Sequence, residues 1–110
     1  MKRTQLPNRR PNATVSIEWS GHIFTVTVGF DPETGRILEV FADRPKIDGM
    51  SAILSDACVW ASIAMQHGVT PAELAKSLGE VPVLGAPKGA TGPASPLGAI
   101  VEAILSEVRT

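Results

Sequence analysis

The sequence predicts an α+β fold: a three-stranded antiparallel meander followed by three helices packed on one sheet face. Two changes in pattern carry that expectation. Apolar residues alternate with polar ones from Thr14 to Trp19 and from His22 to Phe30, with a third strand signal in Ile37 to Ala42, and from about Met50 onward they recur at helical spacing. The connections between the alternating segments are too short for crossovers, so neighbouring strands must run antiparallel.

Residues 1–12 (MKRTQLPNRRPN) are polar and broken by Pro7 and Pro11, which makes them an extended arm in front of a single domain over 13–110. In Thr14 to Trp19, Val15, Ile17 and Trp19 alternate with Ser16 and Glu18, and Ser20-Gly21 supplies a tight turn. In His22 to Phe30, Phe24, Val26, Val28 and Phe30 alternate with Thr25, Thr27 and Gly29. Asp31-Pro32-Glu33-Thr34-Gly35 is turn chemistry, because Pro presets φ and Gly accepts a positive one. Ile37 to Ala42 completes the sheet.

From about Met50 to His67, a stripe of Ile53, Leu54, Ala57, Cys58, Ala61, Ala64 and Met65 defines a helix. Val59, Trp60 and Ile63 widen it until the helix is apolar nearly all round, as in helices covered on more than one side. Gly68 ends it. Thr70-Pro71-Ala72-Glu73 combines an N-cap, a proline at the first helical position and a capping box, opening a short helix that ends by Gly79. Residues 80–94 hold three prolines and three glycines and are expected to be irregular. Ser95-Pro96 then starts a last helix with Leu97, Ile100, Val101, Ile104, Leu105 and Val108 on one face.

Composition bounds the function. At 110 residues, 44% apolar and 19% charged, the chain supports one core and reads as globular. Its net charge of -1 gives no global field for nucleic acid or an anionic membrane. Charge is uneven, however: Lys2, Arg3, Arg9 and Arg10 put four positive and no negative charges in the first ten residues. No apolar run follows those residues, so a secretory signal is not expected, and no stretch suffices to span a bilayer. The expected compartment is the cytoplasm. Asn12-Ala13-Thr14 matches a glycosylation acceptor, which has no consequence without secretion.

Each chemical candidate has a plainer reading. Cys58, the one cysteine, sits mid-helix among Ala57, Val59 and Ala61, away from any base or helix N-terminus that would activate it, and reads as a packing residue. His22, His67, Asp56 and Cys58 lack the paired short spacing of a metal site, and His67 suits a helix C-terminus. Glu102 and Glu107 fall on the polar side of the last helix and form no recognisable acid–base pair. Gly85 to Gly92 carries Lys88 and Thr91, but Lys88 precedes Gly89 and Pro93 intervenes before the helix, unlike a phosphate-cradling loop. Ala61 to Leu78 has the outline of a helix-turn-helix, yet Glu73, Lys76, Ser77 and Glu80 leave its second helix net negative, so an αα-corner is favoured.

Leu6-Pro7-Asn8-Arg9-Arg10-Pro11, the segment Gly35-Arg36-Ile37-Leu38-Glu39-Val40-Phe41, Ser62 to Val69, and the opening of the last helix in Gly92 to Ile104 together resemble the TSCPD domain family. The likeness covers roughly residues 5–106. Domains of that family occur at the C-terminal end of adenosylcobalamin-dependent (class II) ribonucleotide reductases and as short free-standing proteins. The Thr-Ser-Cys-Pro-Asp string that names the family is missing here, and Cys58 lies in a helix. The thiyl-generating cysteine, reducing pair and cofactor site of such a reductase do not fit in this chain. The resemblance thus implies a non-catalytic accessory or binding domain acting through protein or nucleotide contacts. Adenosylcobalamin then belongs to the full-length reductases, and this chain binds no cofactor or metal alone.

A ribonucleotide reductase subunit or another protein is the expected partner, with a nucleotide or nucleic acid as a further possibility and no membrane. The alternative is a small nucleic-acid-binding protein using the basic arm and a degenerate helix-turn-helix; an enzyme assembled at an oligomer interface ranks last. No catalytic residue is assigned. Arg9, Arg10, Arg3, Lys2 and Lys88 are the candidates for anion or partner binding, since arginine grips phosphate or carboxylate bidentately. A homodimer is expected, with the apolar helix at or near its contact, because Trp60 and Ile63 point away from the Leu54–Met65 stripe.

Overall fold

A computed structural model describes residues 3–44 and 48–107. Three strands form one sheet in the order β1 (Asn12–Trp19), β2 (His22–Phe30), β3 (Ile37–Asp43). The β1–β2 register is unbroken from Asn12↔Gly29 to Trp19↔His22. Ser20 and Gly21 close that hairpin with φ of 50° and 80°, the paired positive values whose twist matches the flanking strands. Asp31 shapes the next turn, its carboxylate accepting from Glu33 N–H and Thr34 Oγ1, both at 3.0 Å.

Helix α1 (Gly49–Gln66) lies on β3, and α3 (Pro96–Glu107) lies on β1. The short α2 (Pro71–Ser77) packs mainly on α3 rather than on the sheet. Between sheet and helices sits the core: Phe24, Val26 and Val28 of β2, Ile37 and Val40 of β3, Leu54, Cys58, Ala61 and Met65 of α1, and Ile100 and Ile104 of α3. A side chain of this size, fully buried, contributes about 1.5–3 kcal/mol. Of the expected stripe on α1, Leu54, Cys58, Ala61 and Met65 are buried and Ala57 and Ala64 half-buried, while Ile53 remains 73% exposed because it lies on the flank of the sheet-facing arc. On α3, Leu105 is 45% exposed, turned toward α2; Val108 lies outside the described residues, as does the side chain of Glu107.

Helix boundaries follow local chemistry. Asp48 caps α1, accepting from Ser51 N–H at 3.0 Å while Ser51 Oγ accepts from Asp48 N–H. At the other end Gly68 N–H reaches Met65 O and Val69 N–H reaches Ala64 O, a Schellman closure made possible by Gly68 at φ 105°. Thr70 and Glu73 form the expected capping box on α2. Ser95 Oγ accepts from Gly98 N–H at 3.2 Å, starting α3.

One expectation is corrected. Residues 80–94 are not irregular throughout: β4 (Glu80–Pro82) and β5 (Thr91–Pro93) pair antiparallel as a second, two-stranded sheet. Val83 N–H to Ala90 O and Ala94 N–H to Gly79 O extend the ladder at both ends. A two-stranded ribbon has only one bonded edge per strand, so prolines whose missing N–H would face outward cost it nothing. Gly85 and Gly89, at φ of 80° and 91°, let the connecting turn reverse.

Candidate binding surfaces

Three surfaces of the domain are distinguished by their side chains. The first is the arm. From Arg3 onward it does not stand off the domain, but runs along the side where β3 meets the end of α1. Thr4 N–H donates to Gln66 O at 2.8 Å, Arg3 Nε donates to Gln66 Oε1, and Phe30 N–H reaches Pro11 O at 2.9 Å. Arg10 Nε pairs with Glu39 Oε1, while Arg10 Nη1 donates to the Pro7 carbonyl at 3.0 Å and so folds the arm back on itself. Glu39 reaches Arg10 across the backbone of Gly29; a Cβ there would sit 2.6 Å from Glu39 Cγ, which is why this strand position holds glycine. Arg3, Gln5, Leu6, Arg10, Glu39 and Gln66 line a polar cleft of about 260 Å³.

The candidate anion-binding residues are therefore dispersed. Arg3 and Arg10 share the cleft, each already held by an intramolecular partner. Arg9 is exposed beside them. Lys88 is exposed in the turn between β4 and β5 and does not line that cleft. Lys2 lies outside the described residues.

The second surface is apolar. Met50, Ile53, Leu54 and Ala57 of α1 face Ser95, Pro96 and Leu97 at the start of α3 across a groove of about 470 Å³. Ile53, Ala57 and Trp60 follow one another at i, i+4 and i+7, so Trp60, which is 78% exposed, lies on the same side of α1 as the groove without lining it. Val59 is half-exposed on the same helix, and Ile63 is half-buried. α3 does not cover Trp60.

The third is the β3 edge, where α1 supplies hydrogen bonds as well as packing. Ser62 Oγ accepts from Val40 N–H at 3.0 Å and donates to Cys58 O at 2.8 Å; Gln66 Nε2 donates to Leu38 O at 3.1 Å. Neither polar residue was singled out from the sequence. Their signal was available: Ser62 and Gln66 are polar, four apart, and extend the buried Leu54–Cys58 side of an apolar helix.

Cys58 is 2% exposed, and burial, with a smaller contribution from the Asp43 carboxylate, raises its thiol pKa to about 11. His22 Nδ1 lies 3.1 Å from Arg44 Nη2, a contact in which the guanidinium donates, and His67 is the C-cap of α1. Among the described residues, no group of three or more His, Cys, Asp or Glu side chains could hold a metal ion. No helix among them is long and apolar enough to cross a membrane. The helix-turn-helix outline resolves as α1, the Schellman turn and α2, whose first residue, Pro71, is buried.

These features define a small α+β domain in which α1 hydrogen-bonds to one edge of the meander and forms an apolar groove with α3. The family model for the TSCPD domain matches residues 2–107, nearly the whole chain, and the chain belongs to that family. Comparison with curated proteins and with solved structures returned no match.

Proposed function

We propose that this chain is a non-catalytic accessory domain that binds a ribonucleotide reductase subunit through the α1–α3 groove. The family supports a reductase-associated role, since related domains stand at the C-terminal end of class II enzymes. The single observation carrying the protein-contact reading is the apolar groove between Ile53 and Leu97 with Trp60, 78% exposed, on the same side of α1. An indole left in water beside an apolar groove is the composition of an interface centre, where Trp is enriched and charge is depleted. The arm supports the nucleic-acid alternative less well, because Arg10 is neutralised by Glu39 and Arg3 is committed to Gln66.

The test is titration calorimetry of the chain against a class II reductase catalytic subunit, with and without Trp60→Ala. Binding that weakens at least tenfold in a variant of unchanged melting temperature supports the proposal. Absence of binding, or binding indifferent to Trp60→Ala and Ile53→Asp alike, defeats it.

A further inference from the structure

The two edges of the main sheet are treated differently. At β3, Ser62 meets the outward backbone groups of Val40 and Gln66 donates to the outward carbonyl of Leu38. At β1 nothing comparable occurs. The bond from Phe30 N–H to Pro11 O sets the alternation of the β1–β2 ladder, so Ala13, Val15, Ile17 and Trp19 bond inward to β2. Thr14, Ser16 and Glu18 then turn their N–H and C=O groups away from the sheet. All three are exposed, and among the described residues those groups have no partner.

Bare edges are usually blunted by lysine, proline, a bulge or short length. β1 has eight residues, an unbroken register, neither lysine nor proline within it, and Glu18 as its one charged side chain. From this edge we infer that β1 pairs with β1 of a second copy, antiparallel about a two-fold axis at Ser16, extending the meander into a six-stranded sheet.

The occupant follows from the residues themselves. With the axis at Ser16, Ser16 faces the partner's Ser16 and Thr14 faces the partner's Glu18. The half-buried helix-side residues then meet in kind, Val15 against the partner's Ile17 and Ala13 against the partner's Trp19. No like charges oppose one another. Moving the axis to Glu18 would set that carboxylate against its own copy, which destabilises a directly opposed pair. Moving it to Thr14 would shorten the overlap. An isologous contact of this kind closes at two chains. This surface is separate from the α1–α3 groove, so the two readings stand or fall independently.

Sedimentation equilibrium of the full chain, from low to high micromolar concentration, should report a dimer. Ser16→Pro removes only an outward N–H and is tolerated at such an edge, so it should give a folded monomer that still binds whatever the groove binds. Ser16→Cys should form an intermolecular disulfide on mild oxidation, because opposed bonded residues lie ~5.5 Å apart between Cα atoms, within disulfide reach. Glu18→Cys, off the axis, should not. Cys58 does not interfere, being buried. A monomeric parent overturns the inference. So does a dimer that persists in Ser16→Pro, or one abolished by Trp60→Ala. Should Ser16→Pro fail to fold, the contrast between the two cysteine variants decides alone.

Discussion

Gln66 and Leu38, twenty-eight residues apart, are joined by a bond from Gln66 Nε2 to the Leu38 carbonyl at 3.1 Å. The same amide accepts from Arg3 Nε, and the Gln66 carbonyl accepts from Thr4 N–H. One residue at the end of α1 thus closes the β3 edge and anchors the arm. Gln66→Ala should lower stability by about 1–3 kcal/mol, the cost of leaving a buried carbonyl unsatisfied. Urea unfolding checks the loss; the Thr4 bond goes to the backbone carbonyl, which the substitution keeps.

Arg9 and Arg10 are adjacent but should behave oppositely. Glu39 is 9% exposed and depends on Arg10 for its partner, whereas Arg9 is exposed without a stabilising contact among the described residues. Arg10→Ala should cost about 1–2 kcal/mol, a buried-pair loss discounted for the partial exposure of the guanidinium. Arg9→Ala should leave melting unchanged. Equal melting temperatures for the two variants would contradict the assignment.

Cys58 should resist thiol reagents in the folded protein. Its pKa, raised from 9.0 to about 11, leaves less thiolate than an ordinary cysteine at any pH below that value. The sign for stability follows: the folded state holds the proton more tightly, so the contribution is complete below about pH 9 and is lost as pH rises toward 11. Cys58→Ala should remove this alkaline component from the stability profile, and labelling kinetics in native and unfolded protein should differ widely.

The β4–β5 ribbon should depend on the sheet it touches. Trp19 Nε1 donates to Pro93 O at 3.1 Å, tying the end of β1 to β5. Trp19→Phe keeps an aromatic ring, smaller than the indole, and removes the donor, whose loss should cost on the order of 1 kcal/mol. Hydrogen exchange should report it as lost protection at Val83 and Ala94 rather than in the core strands.

The local sequence determined the meander, α1, α2, α3 and the caps at Gly68, Thr70 and Ser95, because each depends on side chains within a few positions of one another; the Asp48 cap of α1 was found only in the structure. Asp31 shapes its turn, Gly68 closes its helix and Thr70-Pro71-Ala72-Glu73 opens the next without help from distant chain. The family was legible too, in segments spread from Leu6 to Ile104. Three things required tertiary structure. The β4–β5 ribbon passes for a loop because its prolines and glycines forbid a long strand but not a short ribbon held by Trp19. The arm reads as free charge until Glu39 and Gln66, far along the chain, are brought beneath Arg10 and Arg3. Which side of an almost wholly apolar helix stays wet was decided by packing alone: a three-stranded sheet and one neighbouring helix cover Leu54, Cys58 and Met65, and have no surface left for Ile53 and Trp60.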